Sequence, residues 1–144
     1  MKLIVKRNLY LALLLISFIA TSGSLYFSEV EDLTPCTLCW YQRIFMYPLV
    51  ILSLVALRRR DTMFAHYVYP LSTLGALFAA YHYKLQMFTP TASNFFFNCT
   101  KGSVSCSTID VSYFGFITIP LLSFFAFLMI TALAFLSLRT DRWK

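Results

Sequence analysis

The sequence predicts an all-α integral membrane protein: a single membrane domain, 1–144, folded as a four-transmembrane-helix bundle with both termini cytoplasmic. Composition is the first observation behind this. Of the 144 residues, 59% are hydrophobic and only 12% charged, about half the charged share of a soluble domain, so lipid is the main solvent. The second is four apolar runs, at about 8–27, 38–57, 64–88 and 113–138. The third is where the basic residues fall. The net charge of +6 gathers at the ends of apolar runs, with no Lys/Arg-rich face interleaved with aromatics. That pattern marks topology and argues against a nucleic-acid partner.

Residues 8–27 are twenty uncharged positions, enough to cross at about 1.5 Å per residue. In the second run, residues 44–57 alone would cover about 21 Å of a hydrocarbon core about 30 Å thick. The helix must therefore continue back through Arg43 and Trp40 towards Cys36. Two thiols are thereby placed at one membrane edge and Arg43 just inside it. Thr34 is a suitable cap and Pro35 suits a first turn. The third run has a short uncharged centre, 67–81, which brings His82 and Lys84 near a surface. The fourth, 111–138, exceeds one crossing, so its first residues fall in a loop or the helix tilts, with Pro120 a candidate bend.

Loop charges give the orientation. Lys2, Lys6, Arg7, Arg58, Arg59, Arg60, Arg139, Arg142 and Lys144 share one side of a four-span chain. The other side, with outward loops at about 28–37 and 89–112, carries Glu29, Glu31, Asp32 and Asp110, and Lys101 as its loop cation. Nine basic residues against one place the first side in the cytoplasm. Residues 1–22 also have the basic start, apolar run and Ala20-Thr21-Ser22 ending of a signal peptide. Against that, the run is long for a signal core, and cleavage would split the basic ends across the membrane.

All four cysteines fall on the outward side, as disulfide chemistry in an oxidising compartment requires. Cys36 and Cys39 open the second span, and Cys99 and Cys106 lie in the second outward loop. Three readings compete. Structural disulfides suit Cys99 and Cys106, whose six intervening residues include Gly102, but a C-x-x-C at a helix start forms an easily reduced bridge. A metal site built from all four thiolates has the ligand count, without a familiar spacing. Redox catalysis fits a thiol pair beside the partial positive charge of a helix N-terminus.

On a helix, positions i, i+3 and i+7 share a face, so Cys36, Cys39 and Arg43 form one stripe. A cation within a span is a functional candidate by default, and an arginine there can donate to a quinone carbonyl as electrons arrive. The plainer alternatives are snorkelling to headgroups or pairing with Glu29, Glu31 or Asp32. His82 lies at a comparable depth, either as a second donor or as an interfacial histidine. Trp40, Tyr41, Tyr81, Tyr83 and Phe88 read mostly as an aromatic belt. Phe95, Phe96 and Phe97 would hold the loop cysteines at the membrane surface.

Pro35-Cys36-Thr37-Leu38-Cys39-Trp40-Tyr41-Gln42-Arg43 follows a P-C-x-L-C-x-x-x-R pattern. With it, the chain resembles the bacterial DsbB/BdbC disulfide-formation proteins over essentially its whole length. Tyr81-His82-Tyr83-Lys84-Leu85-Gln86 is similar to the family's third-span end, and Phe116-Ile117-Thr118-Ile119-Pro120 to the start of the BdbC-type fourth span. The close spacing of Cys99 and Cys106 resembles the shorter BdbC branch and leaves open how a partner docks.

The resemblance implies a multi-pass protein of the bacterial cell (inner/cytoplasmic) membrane. Its partner would be an extracytoplasmic thioredoxin-fold thiol oxidase of the DsbA/BdbD kind. The partner's thiols would be reoxidised through Cys99–Cys106, then Cys36–Cys39, with two electrons passing to a membrane quinone, menaquinone or ubiquinone, held near Arg43 and His82. Cys39 would face the quinone and Cys36 the loop pair. A VKOR-like quinone reductase also has two thiol pairs, but its C-x-x-C belongs to a later span. The reading from a different class is a non-catalytic membrane module with structural disulfides or a four-cysteine metal site.

Overall fold

The computed structural model describes residues 2–32, 35–59, 61, 63–88, 112–113 and 117–142. Four helices, α1 (Lys2–Glu29), α2 (Thr37–Arg59), α3 (Phe64–Phe88) and α4 (Ile119–Arg142), make up nearly all of it. Each helix packs on its neighbour in sequence, most extensively α3 on α4, and the ring closes through a lighter contact between α1 and α4. Three of the four are long and apolar enough to cross a membrane, over Lys6–Glu29, Thr37–Arg59 and Ile119–Arg139. α3 has the length, 25 residues, but carries His66, His82, Lys84 and four tyrosines and is not among the three.

Side chains sort as a bundle in lipid requires. Leu13, Leu49, Phe64, Val68, Phe127 and Ile130 fill the interior together with small polar residues, Ser17, Ser53, Ser72 and Ser137. Phe18, Ile19, Ile51, Leu77, Phe125 and Met129 face outward. Some inner hydroxyls bond within the bundle: Ser17 donates to the Leu13 carbonyl at 2.8 Å. Thr131 of α4 donates to Ser72 Oγ of α3 at 2.9 Å, and Ser72 to the Tyr69 carbonyl at 3.2 Å. Small residues let backbones approach. At Gly75 of α3, a Cβ would run into the Phe127 ring of α4.

Two helix starts differ from the sequence expectation. α4 begins at Ile119; before it, β1 (Ser112–Tyr113) and β2 (Ile117–Thr118) form a two-residue antiparallel ladder pairing Ser112 with Thr118 and Tyr113 with Ile117. Pro120 consequently sits in the first turn of α4, where its missing N–H costs no helical bond, and does not bend the span. At α2, Pro35 lies before the helix and Cys36 caps it, its carbonyl accepting the Trp40 N–H at 3.1 Å. The proposed cap Thr34 lies outside the described residues, as do Cys99, Cys106 and Phe95 to Phe97. Asp32, at φ 51°, takes the left-handed conformation after α1.

Candidate active site

The end of α1, the start of α2, the end of α3 and the start of α4 meet at one end of the bundle. Cys36 and Cys39 come together there, with no bond between their sulfurs and their Sγ atoms 3.3 Å apart. An S–S bond is about 2.05 Å, so closing the pair needs an approach of about 1.2 Å. Cys36 is buried against Leu38 and Leu85, and Cys39 is half-buried beside Tyr41 and Phe78. Tyr41 stacks on Phe78 at 5.5 Å between centroids, and Phe45 stacks on the same ring at 5.4 Å. These contacts fix the first turns of α2 against α3, and Tyr41 thereby leaves the expected aromatic belt for a packing role.

The two thiols face different surroundings. Cys39 and Arg43 line one cavity between α1, α2 and α4, with Ser24, Phe27, Gln42 and Ser123 among its other walls. The cavity volume is about 70 Å³, below the ~300–1,000 Å³ typical of small-molecule sites. A second, more apolar groove continues from it along the α1–α4 seam, past Ile19, Leu122, Phe125 and Met129. Ala20, Ser24, Phe27, Ile119 and Ser123 belong to both.

Arg43 is held by α1. Its Nε donates to Ser24 Oγ at 3.0 Å, Nη2 to the Ser24 carbonyl at 2.8 Å, and Nη1 to Ser28 Oγ at 3.5 Å. The guanidinium also lies 5.6 Å over the exposed Trp40 ring, a cation–π contact. Among the described residues its partners are thus serines of α1 and not the acidic residues that follow it. Three of its five N–H donors are engaged, leaving two for a ligand oxygen.

His82, read as a donor at a depth comparable with Arg43, is not among the residues that line the cavity. Its ring is 1% exposed. Nε2 lies 3.6 Å from Cys36 Sγ, and Nδ1 lies 2.9 Å from Gln42 Nε2. Cys36, Cys39 and His82 present three ligand-type atoms all within 4.8 Å of one another, a set that a soft metal ion would accept. The expected stripe is therefore divided: Cys39 and Arg43 share the cavity, while Cys36 turns to the histidine.

Gln42 was not singled out from sequence, although an amide inside an apolar run, three residues after Cys39, is the kind of signal that marks a span residue with a task. Ser24 and Ser28 gave no such signal, because a serine in a span is commonly self-satisfied on its own helix.

Against known proteins, the family model described as "Disulfide bond formation protein DsbB" matches residues 6–137. The chain is 41% identical over 123 residues to "Probable disulfide formation protein C 1" of Bacillus cereus, covering 85% of this chain and 86% of that one. It is 43% identical over 124 residues to the "SPbeta prophage-derived disulfide bond formation protein B" of Bacillus subtilis, covering 86% and 81%. To "Disulfide bond formation protein C" of the same organism it is 45% identical over 115 residues, covering 80% and 81%. No solved structure matches it significantly. A thiol pair at a helix start in a bundle with three membrane-length apolar helices, matched along nearly its whole length by these relatives, places the chain in the DsbB family of membrane disulfide bond formation proteins.

Proposed function

We propose that the protein is a membrane thiol:quinone oxidoreductase. It reoxidises an extracytoplasmic thioredoxin-fold thiol oxidase of the DsbA/BdbD kind and passes the electron pair to a membrane quinone, menaquinone or ubiquinone. One observation carries the reading: two thiols 3.3 Å apart, one of which opens onto a cavity also lined by an arginine with donors to spare. When bound, the quinone supplies a two-electron sink. Cys39 delivers electrons on the cavity side. Arg43 binds a quinone oxygen and balances the charge that develops on it. The α1–α4 groove is an apolar route from the lipid face to that cavity. His82 serves the pair from the Cys36 side.

Cys99 and Cys106 complete the relay by accepting electrons from the partner and passing them to Cys36; this step rests on the sequence and the family resemblance. For a two-electron couple about 30 mV is worth about 1.4 kcal/mol, so a quinone of higher potential draws thiol oxidation forward. The topology that serves this path has four spans, with α3 crossing between α2 and α4, both termini cytoplasmic and the thiol end outside the cell membrane. Nine basic residues at the opposite end support it.

The test mixes purified protein, a quinone and a reduced thioredoxin-fold partner, and follows quinone absorbance. Quinone reduction that vanishes in Cys39→Ser is expected. No reduction by the wild type, or undiminished reduction by Cys39→Ser, would sink the reading. The cluster of Cys36, Cys39 and His82 favours a metal-binding module as the second reading. One equivalent of zinc in the protein as isolated, with the thiols protected from alkylation, would support that module instead.

A further inference from the structure

Closing the Cys36–Cys39 pair releases two thiol protons and two electrons. Cys39 borders a cavity, but Cys36 is 6% exposed and packed among apolar side chains. Among the described residues, the polar atoms that meet Cys36 Sγ are Cys39 Sγ and, at 3.6 Å, His82 Nε2. The histidine is buried as well, and its second nitrogen meets the buried amide of Gln42 at 2.9 Å. Three polar groups from α2 and α3 thus form one line inside the protein: Gln42, His82, Cys36.

We infer that Gln42 is a positioning residue that holds the His82 ring with its Nε2 lone pair towards Cys36, so that His82 takes the Cys36 proton when the disulfide closes. The inference rests on the thiol-oxidase reading. A neutral imidazole carries one N–H. If Nδ1 carries it and donates to the Gln42 amide oxygen, Nε2 is left as an acceptor facing sulfur. The amide's oxygen and nitrogen exchange places by a half-turn, so Oε1 can occupy the position 2.9 Å from Nδ1 where Nε2 is placed.

The proposed proton transfer requires one of the two amide orientations. With the amide N–H turned to the ring, Nδ1 cannot carry a proton and the imidazole stays neutral. With Oε1 turned to it, the protonated ring donates Nδ1–H to Gln42 and Nε2–H to the Cys36 thiolate. Both new charges are then hydrogen-bonded, as charges in a low-dielectric interior must be. The Cys36 S–H bond breaks and its proton goes to His82 Nε2. The Cys39 S–H proton would leave on the cavity side as the S–S bond forms; a bound quinone would supply the sink for the electron pair and the equivalent of both protons, and His82 would return to its neutral form.

The experiment uses the full chain in nanodiscs, reduced, with exposed His66 changed to Asn so that His82 is the one histidine. Imidazole ¹⁵N shifts then report the tautomer without any turnover. The expected result is a protonated Nδ1 and a bare Nε2. Closure of Cys36–Cys39 by diamide, in a background lacking Cys99 and Cys106, gives the second readout. Gln42→Glu, whose carboxylate only accepts, should keep the tautomer and close within about threefold of the parent. Gln42→Leu should mix the tautomers and close at least tenfold more slowly.

An Nε2-protonated ring in the parent protein overturns the inference, as does Gln42→Glu closing as slowly as Gln42→Leu, or Gln42→Leu closing as fast as the parent. Diamide needs neither quinone nor partner. A protein with the expected tautomer and closure rates that cannot reduce quinone would refute the proposed function and leave this inference standing.

Discussion

Replacing Arg43 with Met keeps most of the aliphatic stem and removes every donor. In the structure three of those donors hold Ser24 and Ser28, and the side chain lines a cavity shared with Cys39. One hydrogen bond from a charged donor to a ligand oxygen is worth roughly 1.5–3 kcal/mol, and each 1.4 kcal/mol is about tenfold in affinity. Arg43→Met should therefore raise the apparent quinone KM by about 10- to 150-fold. Arg43→Lys keeps the charge, but its compact ammonium does not reproduce the guanidinium fork, so it should fall between. Ser24→Ala removes one neutral acceptor and leaves the Ser24 carbonyl; with about 1 kcal/mol at stake, its effect should be within about fivefold. The assay is initial-rate quinone reduction over a range of quinone at a fixed partner concentration, with thermal unfolding as the control for fold. An Arg43→Met protein that is folded and has a quinone KM within twofold of wild type would refute the assignment of the two remaining donors.

The groove can be tested independently. Ser123→Phe would fill the junction of the cavity and the α1–α4 groove, and should slow quinone reduction at least tenfold while diamide still closes Cys36–Cys39 at the parent rate; normal quinone kinetics would remove the groove from the route. Gly75→Ala should destabilise the bundle by about 1–3 kcal/mol, because Phe127 must give way, and the loss should shrink in the Phe127→Leu background; a neutral Gly75→Ala in a denaturant titration would contradict the close approach. Thr131→Val should cost about 0.6–1.7 kcal/mol through the lost α3–α4 hydrogen bond, with no added cost in Ser72→Ala; additive losses in that double mutant would deny the bond.

What the sequence made legible was whatever depends on one helix at a time. Arg43 and the thiols could be placed at the start of α2 because the apolar run alone was too short to cross. Spacing could not say what each sulfur meets: the two lie 3.3 Å apart, yet Cys39 lines the cavity with Arg43 while Cys36 also meets His82. The sequence reading gave His82 a depth comparable with Arg43, but depth does not give azimuth: its ring meets Cys36 and is not part of the lining of the Arg43 cavity. A sequence shows charge, and charge alone points Arg43 to phosphate or carboxylate. Its actual partners, Ser24 and Ser28, depend on how α1 packs on α2, which no pattern within either helix records. The start of α4 was blurred for a related reason, because residues 112–118 are as apolar as a span and yet partly fold into a ladder.

The placing of serines inside and large apolar groups outside has a thermodynamic consequence. Pulling these helices apart within a bilayer would bring Ser17, Ser53, Ser72 and Ser137 into hydrocarbon, while Phe18, Ile51, Leu77 and Phe125 were in it already. Little apolar surface would meet water, and it is hydration of such surface that gives soluble proteins their large unfolding heat capacity. Helix separation in this protein should therefore have a heat-capacity change near zero, with an enthalpy almost independent of temperature and no maximum of stability near room temperature. Its resistance to unfolding should respond instead to the thickness and lateral pressure of the surrounding lipid.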